Sequence, residues 1–196
     1  MSYYENNKAL YQYEEEEINQ ISNDNETEKY YYELNRKVHI NLAFIGNKNS
    51  GKSTTIGHLL YNTGNIQPGY FNWIKNLANE MMSRTYKFSW LIDIYKEERE
   101  ARKTTFIHLK KFETKKYDFD LINLPGDLTY RKNIFKGISL ADAAIIIVSA
   151  ENENYENNHI KDYLIVAFTT GIRQIIIAIN KMDQTKDVEY SEKFNS

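Results

Sequence analysis

The stretch that most constrains this 196-residue chain is Gly46-Asn47-Lys48-Asn49-Ser50-Gly51-Lys52-Ser53, because of what lies on either side of it. Before it runs Val38-His39-Ile40-Asn41-Leu42-Ala43-Phe44-Ile45, a β-branched and apolar stretch of the kind that forms a buried strand. After it, Ser53 to Asn62 carries apolar residues at helical spacing behind a polar start. A strand that stops at a glycine, wraps and enters a helix points successive backbone N–H groups at one place. The two glycines permit that wrap, and N–H groups so arranged suit phosphate oxygens. The following helix adds its positive N-terminal end. Lys52 offers a point charge to the outer phosphates and Ser53 a hydroxyl to Mg²⁺. Gly46, Asn47, Lys48, Asn49, Ser50, Gly51, Lys52, Ser53 and Thr54 are therefore the expected phosphate-binding residues.

The rest of the chain repeats the strand–helix alternation. Tyr70 to Met82 and Trp90 to Arg102 read as helices, with Trp73 and Trp90 as core anchors. Thr104 to Leu109 and Tyr117 to Asn123 read as strands joined through Lys115-Lys116 in an antiparallel hairpin. Ala143 to Ser149 and Gln174 to Asn180 are near-continuous aliphatic runs, suited to central parallel strands, with a helix from about Ile160 to Thr170 between them. The expected fold class is α/β: three layers, a mostly parallel central sheet with helices on both faces. Such sheets bind ligands beyond the carboxyl ends of their strands.

Asn180-Lys181-Met182-Asp183 closes the last aliphatic run. A carboxylate there can accept from the N1–H and exocyclic amine of guanine, whereas adenine presents an acceptor at the first of those positions. Asp183 thus discriminates by being left unpaired with the wrong base. Asn180 can tie the loop together, and the Lys181 stem can lie over the ring face. Four residues match little by themselves, but about 130 residues after a phosphate loop and at a strand end they specify guanine nucleotide, GTP or GDP. Between the two motifs, Leu121 to Asp127 forms another strand that ends in a Pro125-Gly126 turn. In a GTP-binding domain such a turn sits by the γ-phosphate, with the Gly126 N–H expected as its sensor. Thr104 is the candidate second hydroxyl for Mg²⁺, with Thr105 adjacent and not excluded.

On these residues the chain resembles the translational GTPases, and among them the GTP-binding domain of translation elongation factor 1-alpha. The resemblance runs from about Val38 to Phe194 and is carried also by Gly51 to Leu59, Glu98-Arg99-Glu100, Lys111 to Thr114, Ala141 to Ala144, and Tyr190 to Phe194. It implies a P-loop GTPase of 37–196 that acts in translation, with the ribosome, aminoacyl-tRNA and an exchange factor as partners, in the cytoplasm. In the family two tRNA-binding β-barrel domains follow, and neither is in this sequence. The family's domain also continues past the point where this chain stops, thirteen residues after Asp183. The expectation is therefore a fragment, a truncated gene model or a degenerate copy, with weakened nucleotide affinity.

The departures fall at the chemistry. Where the family has D-x-P-G-H, this chain has Asn123-Leu124-Pro125-Gly126-Asp127. Asn123 can accept from a Mg²⁺-bound water but brings no charge. Lys52 and Gly126 keep their expected catalytic places, while Asp127 stands where the family's His positions the attacking water. A carboxylate about 5 Å from a γ-phosphate, at an effective dielectric near 20, is repelled by roughly 3 kcal/mol per phosphate charge. A raised Asp127 pKa would relieve part of that. Alternatively Lys48 or Lys103 pairs with Asp127 and replaces water activation with an ion-paired lock. Two readings follow: a weak GTPase, or a GTP-binding or nucleotide-free interaction module that does not hydrolyse.

Composition narrows the remainder. With no Cys, neither disulfides nor Cys-ligated metals are available, and His39, His58, His108 and His159 lack ligand spacing. No run of about 18 apolar residues predicts a membrane span. A net charge of −2 gives no reason to expect DNA binding, and Lys110-Lys111 and Lys115-Lys116 read as flanks of a solvated hairpin. Residues 1–36 hold nine acids against three bases, seven Tyr and few aliphatics, which reads as a disordered acidic tail or a marginal helix. The Asn-rich 151–158 reads as a loop.

Overall fold

The computed structural model describes residues 37–150 and 159–184. The expectations for the acidic 1–36, the Asn-rich 151–158 and the segment Tyr190 to Phe194 lie outside the described residues. The site lies wholly within the unit His39–Ser196.

Among the described residues five strands form one sheet in the order β2-β3-β1-β4-β5: β1 (Val38–Ile45), β2 (His108–Glu113), β3 (Tyr117–Asn123), β4 (Ala143–Ser149) and β5 (Gln174–Asn180). β1 pairs parallel with β4, Phe44 opposite Ile145. β4 pairs parallel with β5 along its whole length, Ala143 opposite Gln174 through Ser149 opposite Asn180. β2 and β3 form the expected antiparallel hairpin, Leu109 opposite Ile122. The helices are α1 (Lys52–Asn62), α2 (Pro68–Glu80), α3 (Lys96–Ala101), α4 (Arg131–Ile138) and α5 (Ile160–Thr169). Among the described residues no helix is long and apolar enough to cross a membrane.

Strand alternation divides the core in two. From β1, Ala43 and Ile45 join Ile122, Ala144 and Ile146 beneath α4 and α5, which contribute Ile134, Ile138, Tyr163 and Ala167. Phe44 points the other way, with Leu121, to meet Ile56 and Leu60 of α1, Ile74 and Ala78 of α2, and Trp90 to Ile92. Each fully buried aliphatic side chain is worth about 1.5–3 kcal/mol, so the sheet is held from both faces, as the α/β reading requires. In the strand order β1 lies between β3 and β4, and the carboxyl end of β1 is therefore a topological switch point. The glycine-rich loop begins there.

Several expected elements differ. Trp90 to Arg102 is not one helix. A 3₁₀ turn (Ser89–Leu91) precedes α3, and Tyr95 between them is extended. The Arg99 guanidinium turns back to donate to the carbonyls of Asp93 (2.8 Å) and Trp90 (3.4 Å), so a side chain satisfies groups that a continuous helix would have bonded internally. Thr104 to Ile107 is not strand; the N–H groups of Thr105 and Phe106 go to the Glu98 carboxylate instead of to a neighbouring strand. α2 begins two residues earlier than expected because Pro68, with its fixed φ, suits a first helical turn. Trp90 is buried, but Trp73 is 54% exposed and is not a core anchor; it stacks on Tyr70 and lies beneath the Arg99 guanidinium.

Candidate functional site

The loop from Gly46 to Ser53 is shaped by positions that only small residues fill. Gly46 and Gly51 have φ of 148° and 101°. A side chain on Gly46 would strike the Ile147 carbonyl, and one on Gly51 the Asn180 amide. Asn49, at φ 62°, takes the left-handed conformation that Asn tolerates better than most residues. Lys52 opens α1, buried, with its ammonium donating to the carbonyls of Gly46 (2.8 Å) and Asn47 (2.9 Å). Burial pushes its pKa down to about 7, opposed by the charge of Asp93. A desolvated ammonium gains most from an incoming anion.

Beside the loop, Ser53 Oγ lies 3.1 Å from Thr104 Oγ1. The Thr104 hydroxyl donates to Asp93 Oδ1 at 2.9 Å, and Ser53 reaches the same oxygen at 3.4 Å. Asn123, at the end of β3, donates from Nδ2 to Ser53 Oγ at 3.0 Å. Its Oδ1 is buried without a hydrogen-bond partner. The structure thus brings together the three residues expected at a metal and adds Asp93, which the sequence reading missed inside a supposed helix. A lone acid in the apolar run Leu91-Ile92-Asp93-Ile94 was the available signal. Burial raises the Asp93 carboxyl to about 6, against the bond from Thr104.

Thr105 is excluded from that cluster. Its N–H (2.7 Å) and hydroxyl (3.1 Å) donate to Glu98 Oε1, which also accepts from Phe106 N–H at 3.0 Å. Glu98 Oε2 lies 2.8 Å from His108 Nε2. Against the upward push of burial, these bonds hold the Glu98 carboxyl below the usual range. Asp93, Glu98 and His108 place ligand atoms within 4.8 Å of one another, all buried. The Glu98 oxygens already accept four donors, so Glu98 and His108 brace the chain.

Gly126 sits directly on the loop, where a side chain would collide with the Lys52 ammonium and the Lys48 N–H. Next to it, Asp127 forms an ion pair with Lys103 at 2.8 Å. Of the two lysines weighed, Lys103 is the partner, and its ammonium also lies over the Tyr130 ring at 4.8 Å. The Thr129 N–H (2.9 Å) and hydroxyl (2.6 Å) donate to Asp127 as well. The expectation of a raised Asp127 pKa is corrected: the Lys103 ammonium, with Thr129, holds its carboxyl well below the ordinary carboxylate range.

At the far end, the Asn180 side chain donates to the Ser50 carbonyl at 2.9 Å, joining the end of β5 to the loop. Lys181 turns at φ 59°, and Asp183 stands exposed on the 3₁₀ turn Met182–Gln184. All of this opens on one cleft of about 640 Å³, lined at one end by Lys52, Ser53 and Gly126 and at the other by Asn180, Lys181 and Asp183. Lys48, Asn49 and Thr54 also line it, whereas Asn47, Ser50 and Asn123 act from behind.

The family model described as the elongation factor Tu GTP binding domain matches residues 37–196. Elongation factor 1-alpha of Aeropyrum pernix is 43% identical over 162 residues, covering 80% of this chain and 37% of its own length. That of Xenopus laevis is 37% identical over 163 residues, covering 81% and 35%. The chain thus spans little more than a third of the length of these curated relatives. Among solved structures, the S. cerevisiae Ski7 GTPase-like domain bound to GDP and inorganic phosphate superposes with a TM-score of 0.70 at 20% identity, over 85% of this chain and 39% of that one. The same domain bound to GTP gives 0.69 at 22%, with the same coverage. At such identities the likeness is one of fold.

Proposed function

The chain belongs to the elongation factor Tu GTP-binding domain family, and from that premise we propose that it binds guanine nucleotide, GTP or GDP, in the cleft between Gly46–Ser53 and Asn180–Asp183. The observation that carries the reading is the Asn180–Ser50 bond, which fixes the phosphate end and the base end of one cleft to each other. The loop N–H groups and the Lys52 ammonium take the phosphates, and Asp183 takes the guanine edge. Titration with fluorescent GTP and GDP tests it: saturable binding that Lys52→Ala abolishes supports the reading, and no binding at micromolar protein sinks it.

Magnesium fits the residues present. Asn123 Oδ1 is a buried acceptor without a protein partner, beside two hydroxyls that share one carboxylate. Ser53 and Thr104 would hold the ion, with Asp93 supplying the negative charge that Asn123 lacks. When bound, the ion supplies charge neutralisation to the phosphates.

We infer further that hydrolysis is slow. A general base works best with a pKa near the working pH, whereas Asp127 is held far below it by Lys103 and Thr129. Single-turnover assays check this; turnover accelerated by ribosomes to the pace of an ordinary translational GTPase would overturn it. Ribosome, aminoacyl-tRNA and exchange factor are the partners the family suggests, and co-sedimentation with ribosomes is the direct assay for the first.

A further inference from the structure

In nucleotide switches the segment that brings a hydroxyl to the cation is ordered by the γ-phosphate and its metal, and released when the γ-phosphate leaves. Here the corresponding residues, Lys103 to Phe106, are tied to the protein at every step. The Lys103 ammonium pairs with Asp127 at 2.8 Å, and its N–H donates to the Glu98 carbonyl at 3.0 Å. Thr104 is bonded to Asp93, and Thr105 and Phe106 both donate to Glu98. From the opposite side, Asn133 of α4 donates to the Thr105 carbonyl at 2.9 Å. The preceding turn is anchored too: Arg102, at φ 49°, donates to Ser83 Oγ at 3.2 Å and lies over Tyr86. Glu98 is 1% exposed, so its four bonds do not compete with water.

We propose that Lys103–Phe106 is a fixed element of this domain, held in place by Asp127 and Glu98 as positioning residues, so that it does not report which guanine nucleotide is bound. The inference rests on the guanine-nucleotide reading for its consequence but not for its geometry. A ligand shifts a conformational equilibrium only by its differential affinity for the two states. Where the protein's own bonds already populate one state, the γ-phosphate has nothing left to shift. Asp127 thereby has a structural use: its carboxylate, held by Thr129 on the Gly126 turn, is the fixed post to which Lys103 is moored. A partner that reads this surface would meet the same surface in the GTP and GDP forms.

Amide hydrogen exchange on the full chain tests the proposal, with nucleotide-free protein, GDP and a non-hydrolysable GTP analogue compared in Mg²⁺. Exchange at residues 103–106 is expected to agree within about twofold across the three samples. Lys103→Ala should quicken it by about fivefold in the nucleotide-free and GDP samples while leaving the analogue sample slow, and Lys103→Arg, which keeps the pair, should restore the wild-type pattern. Wild-type exchange more than about tenfold slower with the analogue than with GDP would overturn the proposal. So would a Lys103→Ala variant that matches wild type in all three samples. Fluorescent-GDP binding is measured on the same preparations. If neither nucleotide binds, the functional reading falls, while the nucleotide-free comparison of wild type, Lys103→Ala and Lys103→Arg still decides whether the segment is moored.

Discussion

Keeping a buried carboxylate charged costs several kcal/mol unless positive charge compensates it, and Asp93 is 7% exposed with hydroxyls as its donors. A divalent cation at Ser53 and Thr104 would offset that cost. Asp93→Asn should therefore lower Mg²⁺-dependent nucleotide affinity by about tenfold and leave the affinity measured in EDTA nearly unchanged. Equal losses with and without Mg²⁺ would assign Asp93 to packing alone. Tyr163 poses the opposite case. Its hydroxyl is buried without a partner, and burial, with the charges of Asp162 and Asp127, raises its pKa to about 12. Because the folded value lies above the unfolded one, its contribution is intact below pH 10 and is lost as pH rises through 12, by roughly 2–3 kcal/mol in all. Tyr163→Phe should lose nothing at neutral pH and flatten that alkaline limb in denaturant titrations at successive pH values. Lys52 and Asn180 were legible in the sequence because each lies in a contiguous run of residues that marks its motif. Asp93 was not, because its meaning comes from Ser53 and Thr104, brought to it only by the fold.

At the scale of elements, the aliphatic runs were read to the residue: β4 and β5 span Ala143–Ser149 and Gln174–Asn180 as expected. Strands buried on both faces announce themselves by composition. Trp90 to Arg102 misled because its apolar spacing is helical, while the local geometry is set by Arg99 and Glu98 binding main-chain groups across turns. Thr104 to Ile107, read as strand from its β-branched and apolar residues, misled because the Thr105 and Phe106 N–H groups go to Glu98. Packing between elements gives a further test. Gly57 of α1 faces the 3₁₀ region, where an added Cβ would lie 2.7 Å from the Phe88 carbonyl carbon and closer still to its oxygen. Gly→Ala in a helix ordinarily gains about 1 kcal/mol. Here Gly57→Ala should instead destabilise by roughly 1–3 kcal/mol, because backbone must move. Urea unfolding measures the sign.

For the molecule as a whole, topology places the chemistry. β1 lies between β3 and β4 in the sheet, and the segments beyond β1, β3 and β5 supply the Gly46–Ser53 loop, the Gly126 turn and the Asn180–Asp183 turn. The α/β architecture was legible in the strand–helix alternation, whereas the strand order that places the cleft comes from the fold. The link between the two ends of the cleft, Asn180 to Ser50, joins residues 130 positions apart, and the account stands on it. Its most direct test is competition of GTP, ATP and XTP against fluorescent GDP, on wild type and on Asp183→Asn. GTP should displace the probe from wild type and ATP should not, and Asp183→Asn should move the preference toward XTP, whose carbonyl can accept from the new amide. ATP competing as well as GTP, or an Asp183→Asn variant with unchanged preference, would contradict the guanine-nucleotide reading.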